Sequence, residues 1–188
     1  MSAIQSSFQL LLTRYPSEAI MLRDELAESD EDELIMTIDS VPEELLDVLT
    51  ICDGQDPMAP TTLFPNALRL LSSKEIVSYY RGFFQYGEKD GTAMKLTNRE
   101  RVSEHNDCRV KFDRCWQRGW IPFAGSITWL FIDLSPTAKG QAGQIVHWNQ
   151  DDGFGNVIAH SLQQLIDRIA VKTESGEMIS MLDRIPNA

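Results

Sequence analysis

A chain of 188 residues, of which 43% are hydrophobic, is long enough to bury one core of ordinary size without disulfides or metals. Its apolar runs fall far short of the roughly 20 residues that a transmembrane helix needs, and the start Met-Ser-Ala-Ile-Gln lacks the features of a signal peptide. With only three unevenly spaced cysteines, these features predict one soluble cytoplasmic domain and exclude a disulfide-framed secreted protein.

The net charge of −11 is confined to one segment of the chain. The range 24–47 contains eleven acidic residues and no Lys or Arg, whereas the 17 acidic residues elsewhere balance all 17 basic ones. A surface of this sign repels nucleic acid and attracts basic proteins. The alternative is a solvated face that serves only to keep the protein soluble.

Apolar side chains at helical spacing predict that the chain begins with helices. The first is indicated by the stripe from Ile4 to Tyr15, and Ser17, after Pro16, predicts the start of a second helix that runs to about Glu28.

Capping boxes, in which a Ser precedes an acidic residue by three positions, predict three further helix starts. The pairs are Ser29 with Asp32, Ser40 with Glu43, and Ser72 with Glu75. The second of these helices would hold Pro42 in its first turn and end near Asp53-Gly54, and the third would end near Gly82 or Gly87.

The C-terminal third of the chain predicts a sheet. Strands are expected at 120–123, 127–134 and 144–149, with a short one at 67–71, while 151–155 is expected to form a turn and 157–159 to lead into a final helix. The polar segment 88–117 is expected to be irregular. Helices followed by consecutive strands predict an α+β fold, with an antiparallel central sheet and helices packed on it.

The side chains that carry enzyme chemistry are scattered. His105, His147 and His160 lie in different contexts without a neighbouring nucleophile motif, and the chain contains no Gly-x-Ser-x-Gly or phosphate-binding loop. An enzyme therefore stays the least favoured alternative, and no catalytic residue is predicted. A distant, spatially assembled triad is the form that such an enzyme would take.

Two polar clusters resemble metal sites but miss the required spacing. His105, Cys108 and Cys115 contain no Cys-x-x-Cys pair, and the turn at 149–156 lacks the alternation and the terminal Glu of a calcium loop. No metal and no cofactor are predicted.

Among the tryptophans, Trp120 and Trp129 lie in apolar strand patterns and are expected in the core, whereas Trp116 lies in a polar stretch and is a candidate for an exposed binding residue.

Three ordered runs in the C-terminal third resemble the SUKH superfamily, which includes a fungal cell-wall-assembly regulator and bacterial immunity proteins. They are Arg118-Gly-Trp-Ile-Pro-Phe-Ala-Gly125, Leu130-Phe-Ile-Asp-Leu-Ser-Pro136 and Gly140-Gln-Ala-Gly-Gln-Ile-Val146. Val41-Pro-Glu-Glu-Leu45, the triplet Cys52-Asp-Gly54 and Ala159-His-Ser-Leu162 also resemble family elements, with Leu162 in place of the usual aromatic residue.

The resemblance implies a helical extension at 1–37, a SUKH-like core at 38–170 and a tail at 171–188. Structural roles are expected for Pro42, Gly54, Trp120, Pro122, Asp133, Pro136, Gly143 and Gln144. Pro122 is expected at a strand end or edge, Gly143 in a turn that other residues do not adopt, and Asp133, if buried, as an acceptor of hydrogen bonds from the next loop.

The resemblance also implies a non-enzymatic binding protein. The first hypothesis is an immunity protein that neutralises a basic secreted toxin, such as a nuclease, by direct contact; the alternative is an intracellular regulatory scaffold. Neither nucleic acid nor a membrane is an expected partner, and no oligomeric state is predicted. The predicted partner-binding residues are Glu28, Asp30, Glu31, Asp32, Glu33 and Trp116.

Overall fold

The computed structural model describes residues 1–89, 107–111, 117–149 and 154–175. Its elements, in chain order, are α1 (Ala3–Leu12), α2 (Ser17–Ile20), α3 (Glu28–Thr37), α4 (Glu43–Leu49), β1 (Arg69–Leu70), α5 (Ser73–Lys89), β2 (Trp120–Gly125), β3 (Thr128–Asp133), β4 (Gln144–Asn149), β5 (Phe154–Ala159) and α6 (Leu162–Ser175).

The strands form one five-stranded sheet in the order β1-β2-β3-β4-β5, and every neighbouring pair is antiparallel. This arrangement confirms the predicted α+β fold class. The described side chains of β2 and β3 are buried along nearly their whole length, so both faces of the central strands are covered.

Helix α5 covers one face of the sheet through aromatic rings. Tyr79 and Phe83 lie edge-on to Trp129, with ring centroids 4.7 and 5.3 Å apart, and Phe83 also contacts the rings of Phe131 and Trp148. Rings of this size bury large apolar areas and favour edge-to-face contacts. On the other side of the fold α6 contacts β4 and β5, while α1 and α4 pack on α6.

The predicted second helix is much shorter than expected. Helix α2 ends at Ile20 because Met21 takes a left-handed conformation (φ 40°), after which the chain is extended. Its backbone then bonds to the loop that follows α4: Arg23 donates to the Gly54 carbonyl, and the Met21 carbonyl accepts from Asp56. Long-range backbone pairing has therefore replaced the local helix.

The predicted caps have mixed outcomes. Helix α3 begins after Ala27 and not at Ser29, and α4 begins after Pro42, without a side-chain cap from Ser40. The capping box of α5 is confirmed, since the Ser72 backbone N–H donates to Glu75 (3.0 Å) and the Glu75 N–H donates to the Ser72 hydroxyl (3.3 Å).

Helix α5 runs past its predicted end near Gly82 or Gly87 and reaches Lys89. It continues through Gly82, because Phe83 packs on the sheet and holds the next turn in place. Strand β5 is absent from the sequence prediction, and it forms by pairing with β4 from Ile145 to Asn149. Most of the segment 88–117, which the sequence predicts to be irregular, lies outside the described residues. Residues 88–89 are helical, and residues 107–111 and 117 form no strand.

Pro122 lies inside β2 and not at its end, so of the two predicted positions, a strand end or a strand edge, only the edge remains. It sits beside a register shift between Pro122 and Ala124, and β1 pairs only with Ala124 and Gly125. The side of β2 next to Pro122 therefore has no ladder partner in β1. A residue without an N–H is tolerated at such a position, because no ladder bond is lost.

Gln55 ties the N-terminal half of the chain to the sheet, a role that the sequence does not indicate. Its buried amide donates to the carbonyls of Ile20 (2.9 Å) and Thr61 (3.2 Å), and its oxygen accepts from the N–H groups of Leu63 (2.9 Å) and Leu70 (3.2 Å). One side chain thus satisfies four backbone groups away from water, including the outer edge of β1.

Replacing Gln55 by Ala is predicted to lower the free energy of unfolding by at least about 2 kcal/mol, because several buried backbone groups lose their partner. Urea denaturation followed by circular dichroism measures the loss. Gln9→Ala, at an exposed position of α1, is the control and is expected to cost nothing. Equal stability of the two variants would contradict this role.

Candidate partner-binding surface

Asp133 is the centre of a buried polar network at the end of the sheet. One carboxylate oxygen accepts the Ser135 backbone N–H (2.9 Å), and the other accepts the Gln144 side-chain amide (2.9 Å). The same amide of Gln144 donates to the Arg109 carbonyl (3.1 Å). Burial raises the pKa of Asp133, and the hydrogen bonds from Gln144 and Ser135 oppose that rise only in part.

The network joins the residues that the sequence motifs single out. Trp120 is fully buried, pairs with Asp133 across β2 and β3, and stacks on Phe131 with centroids 5.6 Å apart; Trp129 is also buried, so both core predictions are confirmed. The loop after Asp133 supplies the Ser135 donor, as predicted, and the Gly143 N–H donates to the Asp133 carbonyl (2.8 Å). These contacts assign a structural role to the motif.

Two motif glycines are required for different reasons. Gly143 has a φ of 90° and open space around its Cα, so the left-handed conformation alone calls for glycine, as predicted. Gly54 has a φ of 87°, and a Cβ there would also lie 2.5 Å from the Ser72 backbone nitrogen. Of the two motif prolines besides Pro122, Pro42 precedes α4, and Pro136 packs beside Gly140, where a Cβ would lie 2.7 Å from the proline ring.

The outer edge of β5 is closed by side chains. Asp107 accepts the Val157 backbone N–H (3.2 Å), and Arg168 donates to the Ile158 carbonyl. Asp107 is held in turn by a buried two-pronged ion pair with Arg109, at 2.9 and 2.6 Å. Because these edge groups are already bonded, a partner strand has little to pair with there. Side-chain surfaces are the better docking sites on this fold.

The described residues do not assemble a recognisable catalytic site. His147 is buried, burial lowers its pKa, and its Nε2 lies 3.1 Å from the Thr128 hydroxyl. Burial raises the pKa of the Cys52 thiol to about 12, which keeps it protonated and unreactive. Among the described residues there is no cluster of metal-ligating side chains; Cys108 is exposed, and His105 and Cys115 lie outside the described ranges.

The acidic helix α3 is docked on α5 by ion pairs. Asp30 lies 3.0 Å from the Lys74 ammonium, and Glu33 lies 2.9 Å from the Arg81 guanidinium, which also donates to Thr37 (2.9 Å). Two of the five predicted acidic binding residues therefore help to hold α3 in place. Glu28 and Asp32 are exposed and Glu31 is half-buried, so these three keep the negative charge of the outer surface.

An open groove of about 840 Å³ runs between α3 and α5. We call it the α3–α5 groove; it is lined by Glu33, Met36, Thr37, Asp39, Tyr80, Arg81 and Arg118. The Tyr80 hydroxyl donates to the Arg118 carbonyl (2.9 Å), which joins α5 to the segment before β2. The groove is a feature that sequence reasoning missed, and Trp116, the remaining predicted binding residue, lies outside the described ranges.

The fold and the polar network define an α+β domain with a five-stranded antiparallel sheet between helical layers. The chain belongs to the SMI1/KNR4 family (SUKH-1), whose family model matches residues 31–168. This family is generally non-catalytic and includes immunity proteins and fungal regulators. A comparison with curated proteins finds no match. Within the described ranges, every helix is too short or too polar to cross a lipid bilayer.

Trp120→Ala is predicted to lower the free energy of unfolding by about 3–5 kcal/mol, because the variant leaves a cavity where a fully buried ring stacks on Phe131. Chemical denaturation measures the change, and far-ultraviolet circular dichroism checks that the variant still folds. An unchanged melting temperature would show that this ring does not support the sheet.

Asp133 is predicted to titrate above the usual value of about 3.9 for an aspartate. The folded state then binds the proton more tightly than the unfolded state, so the contribution of Asp133 to stability falls as pH rises from the unfolded pKa through the folded one. Carbon-13 NMR of the carboxyl group measures the pKa directly. A value at or below the usual one would contradict the dominance of burial.

Proposed function

We propose that this chain is a non-enzymatic binding protein of the immunity type, which neutralises a basic toxin by direct contact. The observation that carries the proposal is the position of the net charge: five of the eleven acidic residues of the segment 24–47 lie on α3, where Glu28, Glu31 and Asp32 are the outward carboxylates. Toxins that act on nucleic acid need a basic surface for their substrate, and an acidic inhibitor can cover that surface.

The charge is expected to act mainly on the rate of association. Complementary surfaces steer the encounter of two proteins and raise the association rate by 10-fold or more at low salt, while exposed ion pairs add only about 0–1 kcal/mol each. The buried side chains of Leu34 and Ile38, with a smaller contribution from the exposed ion pairs of Asp30 and Glu33, hold α3 against the fold and keep its outward carboxylates on one surface.

Growth rescue tests the proposed class of function. Co-expression with the toxin encoded by a neighbouring gene should restore growth of a sensitive host, with the two proteins co-purifying as a complex. If no neighbouring toxin is neutralised and several unrelated host proteins bind instead, the chain is a regulatory scaffold and the immunity proposal fails.

Reversal of the outward charges is predicted to slow association with the toxin about 10-fold at low salt, with little effect near 1 M salt, where screening removes steering. The variant is Glu28→Lys with Asp32→Lys, which leaves the ion pairs of Asp30 and Glu33 intact. Stopped-flow or surface plasmon resonance at two salt concentrations measures the rate.

The matched control is Glu18→Lys with Asp167→Lys, which makes the same change in charge at two exposed positions outside the acidic segment. Its association rate should change far less. If the two double variants associate at the same rate, the acidic helix is a solvated surface and does not steer the partner.

A further inference from the structure

Two apolar side chains of α3 point away from the core. The helix buries Leu34 and Ile38, one turn apart, and this leaves Ile35 49% exposed and Met36 81% exposed. Exposed apolar side chains that stand alone are ordinary on a soluble protein, whereas adjacent ones beside a groove are typical of an interaction site. The other large exposed apolar residues in the described ranges stand apart from one another in sequence: Met1, Leu10, Met21, Met58, Ile127 and Val171.

Met36 also lines the α3–α5 groove, together with the ring of Tyr80. Methionine is flexible and polarisable, so it adapts to apolar side chains of different shapes. Carboxylates of Glu33 and Asp39 lie in the same groove. The arrangement combines an apolar contact with a charged border, as binding hot spots do when polar neighbours exclude water from a central apolar contact.

The sign of the charge around the groove selects the partner. The described residues that line the groove are balanced in charge, with Glu33 and Asp39 against Arg81 and Arg118, and the surplus of negative charge lies on the rest of α3, at Glu28, Glu31 and Asp32. Arg81 is already engaged by Glu33 and Thr37. The net negative charge therefore favours a segment that carries Lys or Arg on either side of its apolar residue.

We propose that the α3–α5 groove anchors a segment of a basic partner protein, with a large apolar side chain of the partner against Met36 and flanking Lys or Arg residues facing Asp39 and the outward carboxylates of α3. This inference rests on the proposed function and deepens it. The outward charges set how fast the partner arrives, and the contact at Met36 sets how slowly it leaves.

The test uses a defined probe, the synthetic peptide Lys-Lys-Leu-Lys-Lys, and protein labelled with carbon-13 in the methionine methyl groups. Met36 and Met58 are matched reporters, because both are 81% exposed. On titration at physiological salt, the Met36 methyl signal should shift and saturate while the Met58 signal stays in place. The twin peptide Lys-Lys-Ser-Lys-Lys should bind about 10-fold more weakly, since it lacks the apolar side chain.

Met36→Asp should weaken binding of the Leu peptide about 10-fold, although the added negative charge alone would favour a basic peptide. Met58→Asp, which makes the same change at an equally exposed position, should not weaken it. Circular dichroism confirms that both variants are folded. Equal shifts of the two methyl signals, equal binding of the Leu and Ser peptides, or equal effects of the two variants would overturn the proposal.

The outcomes separate this inference from the proposed function. Suppose that the chain rescues growth from its toxin, but the Met36 methyl signal does not shift and Met36→Asp does not weaken peptide binding. In that case the groove is not the anchor, and the immunity function stands. If the peptide binds at Met36 but no toxin is neutralised, the groove is a docking site for basic segments and the immunity function fails.

Discussion

The buried carboxylate of Asp133 is the constraint on which the C-terminal half of the structure depends. A buried carboxyl group requires hydrogen-bond partners, and here they come from the following loop and from Gln144 on the next strand. Because Gln144 also holds the Arg109 carbonyl, the same network fixes strands β2, β3 and β4 against the described segment 107–111. Residues of the family motif therefore form this network.

The candidate binding surface is connected to that sheet through α5. The rings of Tyr79 and Phe83 hold α5 on Trp129, and the cations of α5 in turn hold the acidic helix α3. Each layer positions the next one, from the buried network to the aromatic layer and then to the charged surface. The consequence for function is that outward charge and exposed apolar side chains are presented by a helix with a fixed support, which lowers the entropic cost of binding.

The sequence predicts the features that depend on residues close together along the chain. The capping box of Ser72 and Glu75 lies within one helical turn, and the bounds of β4 follow from an uninterrupted run of strand-forming residues. Features that depend on residues far apart along the chain are not predicted by the sequence. Helix α2 stops early because the chain from Met21 onward pairs with the loop at 54–56, and the strand β5 exists because β4 offers it a partner.

The same distinction applies to the candidate site. The acidic residues of α3 are evident in the sequence, but their separation into docking residues and outward residues depends on Lys74 and Arg81, which lie far along the chain on α5. The α3–α5 groove likewise requires two helices to meet, so no local pattern indicates it. The burial of Leu34 and Ile38 and the exposure of Met36 also depend on the packing of α3 against α5.

Hydrogen–deuterium exchange of the chain, alone and bound to the proposed partner toxin, locates the binding surface. We expect slower exchange of the backbone amides in α3 and in α5 around Tyr80, with no change in α1 and α6. Protection confined to α1 and α6, with none in α3, would contradict this expectation.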